Sequence, residues 1–110
     1  MKRFIQKQEV IMSKQFSDNN LKYLIHGILM LHTPEECLDF FEDLCTVSEL
    51  QEMARRLQAA KLLRNNHIYS DIAEQTGLST ATISRVNRCL KYGNDGYLTV
   101  LERLEKAERH

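Results

Sequence analysis

The sequence contains no apolar run close to the roughly 20 residues of a membrane-spanning helix. Its first residues also lack the hydrophobic region and small-residue cleavage site of an export signal. There is one proline, Pro34, and 43% of the residues are apolar, which excludes a disordered composition. No glycine-rich phosphate loop and no recognisable nucleophile–base set is present, so the sequence offers no enzyme chemistry. Three cysteines, Cys37, Cys45 and Cys89, include no CxxC pair. His26, His32 and His67 are scattered, and His110 is the last residue. Neither a metal site nor a cofactor is expected from these side chains. An odd cysteine count without an export signal points to reduced thiols in the cytoplasm. Cys37 and Cys45 fall at positions that read as helix core, where cysteine acts as a small hydrophobe.

A net charge of zero argues against a nucleic-acid partner until its distribution is considered. Residues 32 to 50 hold six acids and no Lys or Arg. Residues 51 to 92 hold seven Lys/Arg against three acids, and residues 79 to 92 carry Arg85, Arg88 and Lys91 with no acid. A segregated basic segment focuses a field that the total conceals. A solvated helix face would give the same pattern, so charge alone does not decide.

The chain of 110 residues suits one small domain, and a domain of this size gains from a core shared with a second copy. Residues 1–18 are expected to be a disordered or non-native extension, with the helical domain over 19–110. The stretch "QEVIM", residues 8 to 12, back-translates to a ribosome-binding sequence a few nucleotides before an ATG codon. Translation is therefore expected to start at Met12, and an intact Met1 end in protein from its own cells would refute this.

From residue 21 the apolar positions follow helical spacing. Leu21, Leu24, Ile25, Ile28 and Leu29 form one face. "HTPEE" then predicts a helix start, with Thr33 as cap, Pro34 at the first position and Glu36 completing a capping box. Cys37, Phe40, Phe41 and Leu44 form the next stripe. Thr46 and Glu49 repeat the start signal, and Leu50, Met53, Ala54 and Leu57 carry a long helix to about Arg64. "NNH" breaks it. A short helix fits Ser70 to Thr76, another runs from Ser79 to about Tyr92, and Tyr97, Val100, Leu101 and Leu104 mark the last. No alternating pattern predicts a strand. The fold class is therefore all-α, with six short amphipathic helices that need one another to be stable.

Residues 69 to 90 have the spacing of a helix-turn-helix. Ala73 gives a small residue where the second helix crosses the first. Gly77, four residues on, serves the tight turn, and Leu78 plugs the core behind it. Ile72 from the first helix meets Ile83 and Val86 from the second. With those turned inward, Ser79, Thr80, Ala81, Ser84 and Arg88 point mostly away. Ser and Thr hydroxyls bond base edges, and Ala and Thr methyls touch a thymine methyl. Arg85, Arg88 and Lys91 lie farther along, where they can reach a base or clamp a phosphate. Ser79 would cap such a helix in any protein, so it weighs less than Thr80, Ala81 and Ser84.

"LCTVSELQEMARRLQAAKLLRNN" followed by "IAEQTGLSTATISRVNRCLKYGND" resembles the Trp repressor superfamily, and within it the branch usually called YerC/YecD. The resemblance covers about residues 20 to 107. It implies six helices per chain and an intertwined homodimer that places two recognition helices about one DNA turn apart, on a roughly palindromic operator. It also implies a corepressor pocket in which an indole lies between two arginines. Arg85 matches the second of these; Arg56, or Arg55 with the gap placed differently, matches the first; Thr46 and Thr82 match pocket-lining positions. The chain departs from the tryptophan-binding pattern by having Val86 where that pattern has glycine and Cys89 where it has serine. Valine adds bulk where the ring should lie, and Cys89 is a poor donor, so L-tryptophan is not expected as a ligand. The arginines would then contact phosphate or pair with the acids of residues 35 to 49.

The expected function is that of a dimeric, sequence-specific DNA-binding transcriptional regulator, a repressor by resemblance, with double-stranded DNA and a second copy as its partners. A regulator responsive to a different small molecule is one alternative. A protein-interaction module that has lost DNA binding is the other.

Overall fold

The computed structural model describes residues 18–109, which form six helices and, among the described residues, no strand. The extension expected over residues 1–18, and the start at Met12 with it, lies outside the described residues except for Asp18. The described residues belong to two compact units divided between Leu44 and Cys45, where the sequence alone gives one domain over 19–110.

The first unit holds α1 (Asn19–Leu29) and α2 (Pro34–Leu44). The Asp18 carboxylate caps α1 by accepting from the Asn20 amide at 2.8 Å. Pro34 opens α2, and the Thr33 hydroxyl accepts from the Glu36 amide at 3.1 Å. The return bond differs from the expected capping box. Glu36 accepts from the His32 amide at 2.8 Å, one residue ahead of Thr33. That carboxylate still satisfies an amide before the helix and sits favourably at the positive end of its dipole. Neither helix contains a buried residue, and Leu29, Leu38 and Leu44 are exposed. Cys37 on α2 is half-buried; Cys45, just past its end, is half-buried as well.

The second unit holds α3 (Val47–Arg64), α4 (Tyr69–Thr76), α5 (Thr80–Tyr92) and α6 (Gly96–Glu108). Thr46 and Glu49 form the full capping box expected at α3: the Thr46 hydroxyl accepts from the Glu49 amide at 3.1 Å, and Glu49 accepts from the Thr46 amide at 2.8 Å. These two bonds hold the Glu49 carboxyl below its ordinary pKa, the bond from the Thr46 backbone contributing most. The helix ends in a Schellman motif. Asn66 takes φ 66°, its amide donates to Leu63, and the His67 amide donates to Leu62.

Two neighbouring alanines on α3 organise the core. Ala59 packs with Ile72, Leu78 and Ile83, edged by Leu62, Tyr69 and Ala73. Ala60 packs with Val86 and Leu101, edged by Leu57, Leu90 and Tyr97. Both alanines are fully buried, which lets α5 lie close against the α3 backbone. Ile72 and Ile83 are also fully buried, and each contributes about 1.5–3 kcal/mol by leaving water. Other apolar positions of the predicted stripes remain exposed, among them Met53, Ala54, Val100 and Leu104.

Candidate nucleic-acid interface

Three residues, Gly77 to Ser79, join α4 to α5. Gly77 takes φ 75°, the left-handed conformation that is cheap only for glycine, and its amide closes α4 on the Ala73 carbonyl at 2.9 Å. Thr76 completes the turn in a way the sequence reading missed. Its hydroxyl, buried at 6% exposure, donates to the Ile72 carbonyl at 2.6 Å and accepts from the Leu78 amide at 3.2 Å. The only signal for it was a threonine beside the turn glycine. Leu78 is buried, as its place after the turn predicts.

The six positions expected to hold this pair of helices do not share one core. Ile72, Leu78 and Ile83 form a single cluster with Ala73 half-buried at its edge, while Gly77 shapes the turn. Val86 belongs to the other cluster, against Ala60 and Leu101. The reason is rotation: Val86 lies three residues beyond Ile83, about 60° short of a full turn, enough to face α6 instead of α4. A direct tie supplements the apolar contacts. The Asn87 side-chain amide donates to the Tyr69 hydroxyl at 3.0 Å, joining α5 to the start of α4.

Ser79 caps α5, accepting from the Thr82 amide at 3.1 Å and donating to the Thr82 hydroxyl at 3.0 Å. Thr80, Ala81, Arg85, Arg88 and Lys91 are exposed, and Ser84 is half-buried beside Ile83. At about 100° per residue, Thr80, Ala81, Ser84, Arg88 and Lys91 fall within roughly 100° of one another, on a side turned away from Ile83 and Val86. The α5 sequence contains no acid. Among the described residues, the one ion pair is Arg64–Glu105 at 3.4 Å, and none there involves Arg85, Arg88 or Lys91.

Next to this face runs a cleft of about 300 Å³, lined by Glu52, Arg56, Thr82, Arg85, Val86, Cys89 and Tyr97. Three residues of the expected effector pocket, Arg56, Thr82 and Arg85, come together in it. Arg56 lines the cleft where the spacing left Arg55 as an option, and Arg55 is exposed outside it. Thr46 is not part of the lining; it caps the start of α3, ten residues before Arg56. Glu52 was missed by sequence reasoning, although it lies one turn before Arg56 on the same helix. It brings a carboxylate to a site otherwise dominated by two guanidinium groups.

Residues 19–105 match the family described as Trp repressor protein. The chain belongs to the Trp repressor family. It is 51% identical over 88 residues to the uncharacterized protein YerC of Bacillus subtilis strain 168, covering 80% of this chain and 85% of that protein. Among solved structures it is similar to a TrpR-like protein from Eubacterium eligens, with 52% identity and a TM-score of 0.78 over 80% of this chain and 91% of the other. A candidate Trp repressor from Staphylococcus aureus is also similar, with 46% identity and a TM-score of 0.77 over 80% of this chain and 88% of the other. Membership of the Trp repressor family points to a DNA-binding regulator rather than an enzyme. No helix among the described residues is long and apolar enough to cross a membrane.

Proposed function

We propose that this chain is a sequence-specific DNA-binding transcriptional regulator, a repressor by family, acting as a homodimer on a palindromic operator. The helix-turn-helix is formed by α4 and α5, with α5 entering the major groove. The observation that carries this is the outward side of α5: small and hydroxyl side chains at its start, cations farther along, and no acid. Thr80, Ala81 and Ser84 are assigned to base edges, and Arg85, Arg88 and Lys91 to bases or phosphates. Ser79 and the start of α5 suit a phosphate.

A second chain accounts for the first unit. Helices α1 and α2 carry apolar stripes but no buried residue within one chain. An intertwined dimer would cover them, and its two-fold axis would impose a palindromic site. Selection of bound sequences from a random DNA pool with the purified protein tests the proposal. Enrichment of an inverted repeat is expected; recovery of no preferred sequence would overturn it.

The cleft favours a second reading, in which the same DNA face is controlled by a small molecule other than tryptophan. Its support is the convergence of Glu52, Arg56, Thr82 and Arg85. A thermal-shift screen against amino acids and related metabolites tests it, because a ligand of the native state must raise stability. A flat screen would favour constitutive binding.

A further inference from the structure

We propose that Tyr92 is a DNA-contacting residue, packing its ring on the sugar–phosphate backbone at the edge of the groove and donating its hydroxyl to a phosphate. This rests on the DNA-binding function proposed above and adds a residue at the far end of α5.

Tyr92 is the last residue of α5 and is 84% exposed, the most exposed of the large apolar side chains among the described residues. An aromatic ring left in water gains from any surface that covers it. Its register identifies that surface. Ala81, Arg85, Arg88 and Tyr92 stand at helical spacings of four, three and four. At about 100° per residue they fall within roughly 60° of one another. The ring therefore continues a stripe that is cationic and free of acids, and such a stripe repels a second copy of itself and attracts a polyanion.

Length decides where on the DNA the ring falls. Tyr92 lies twelve residues beyond Thr80, about 18 Å along the helix axis at about 1.5 Å per residue. The major groove is only about 12 Å wide. A helix that enters the groove end-on, with its first turn at base edges, therefore brings its last turn to the backbone that bounds the groove. Lys91 is beside Tyr92 and exposed, so one residue supplies charge and the next supplies a ring and a hydroxyl. Tyrosine is among the side chains that bond phosphate and sugar oxygens, and such contacts fix the register of a protein on DNA.

A backbone contact does not depend on base sequence, so the test uses a fluorescent mixed-sequence duplex of about 30 base pairs in about 50 mM salt, where backbone contacts dominate. Full-length wild type, Tyr92→Ala and Tyr92→Phe are compared by anisotropy over a salt series, with melting temperature and sedimentation recorded for each. Tyr92→Ala is expected to weaken binding by more than about tenfold, about tenfold for one hydrogen bond to a charged group and the rest for the lost ring contact. Tyr92→Phe, which keeps the ring, should show a smaller loss. The dependence of affinity on salt should stay as in wild type, since no cation is removed, and the melting temperature should not move. Equal affinities for wild type and Tyr92→Ala would overturn the assignment alone. A changed sedimentation coefficient or lower melting temperature that accounts for the weaker binding would also overturn it, by giving Tyr92 to self-association or to the fold. Failure of wild type to bind any duplex would overturn the DNA-binding function itself.

Discussion

Replacing Val86 tests the core and the cleft together. Its side chain is 2% exposed, packs with Ala60 and Leu101, and forms part of the cleft wall. Val86→Ala removes two carbons, worth about 1.6 kcal/mol in transfer free energy at about 0.8 kcal/mol each. A sealed void of about 50 Å³ would add about 1.2 kcal/mol at about 24 cal/mol per Å³. Because Val86 borders an open cleft, water can enter part of that space and the second contribution falls. The expected loss is between about 1.6 and 2.8 kcal/mol per chain. At 2 kcal/mol the melting temperature would drop by roughly 8–16 °C. The same side chain should exclude an indole, so millimolar L-tryptophan is expected to leave the wild-type melting temperature unchanged. Val86→Gly opens the wall further, at an added cost of about 1 kcal/mol for glycine inside a helix. If the arginine pair remains competent, tryptophan should then recover part of the lost stability, up to about 2.7 kcal/mol at a hundredfold excess over Kd. Scanning fluorimetry of the three proteins with and without tryptophan decides. A rise in the wild-type melting temperature would refute the steric reasoning, and an unchanged Val86→Ala melting temperature would refute the packing.

Arg88→Ala and Arg85→Ala should each weaken operator binding and flatten its logarithmic salt dependence by about one unit per lost phosphate contact. Unchanged binding by both variants in a salt-series titration would remove the proposed docking face. Asn87→Ala and Tyr69→Phe should each destabilise by about 1 kcal/mol, and the double variant by little more than either, since both cut the same hydrogen bond; chemical denaturation of the full set measures the coupling. Glu49→Gln should lower stability at neutral pH and flatten its decline in acid. The lowered pKa of Glu49 means that its contribution is present above the unfolded-state carboxylate range and is lost as pH falls through the folded value. Urea melts from neutral pH to pH 3 that run parallel for the two proteins would refute this.

Local chemistry made most of the fold legible. Caps were readable because each uses residues adjacent in sequence: Thr46 with Glu49, Ser79 with Thr82, Gly77 at its turn. The return bond of Glu36 to His32 was misplaced by one residue, because spacing fixes the reach of the side chain but not the path of the chain entering the helix. Packing partners were harder. Ala59 and Ala60 gave no signal, since alanine fits either face of a helix, and their burial depends on what crosses α3. Met53 and Ala54 followed the helical period and are nevertheless exposed, because periodicity marks a face without naming what covers it. In the site, the outward side of α5 followed from the inward placement of Ile83. Glu52 and Tyr97 could not be found the same way, since they join the cleft from two other helices, α3 and α6.

The cleft and the proposed DNA face meet at one side chain. Arg85 lines the cleft yet remains exposed, while its neighbour Val86 is fixed in the core between Ala60 and Leu101. The backbone at this point is therefore held, and only the long guanidinium arm has freedom to choose a partner. Glu52 from within the cleft and a phosphate from outside are both anionic, so they compete for the same charge. A phosphate contact through Arg88 or Lys91 has no such competitor, as neither residue lines the cleft. Occupancy of the cleft would thus act on DNA affinity through Arg85 first, by changing how far its guanidinium is available to a phosphate, without requiring α5 to move.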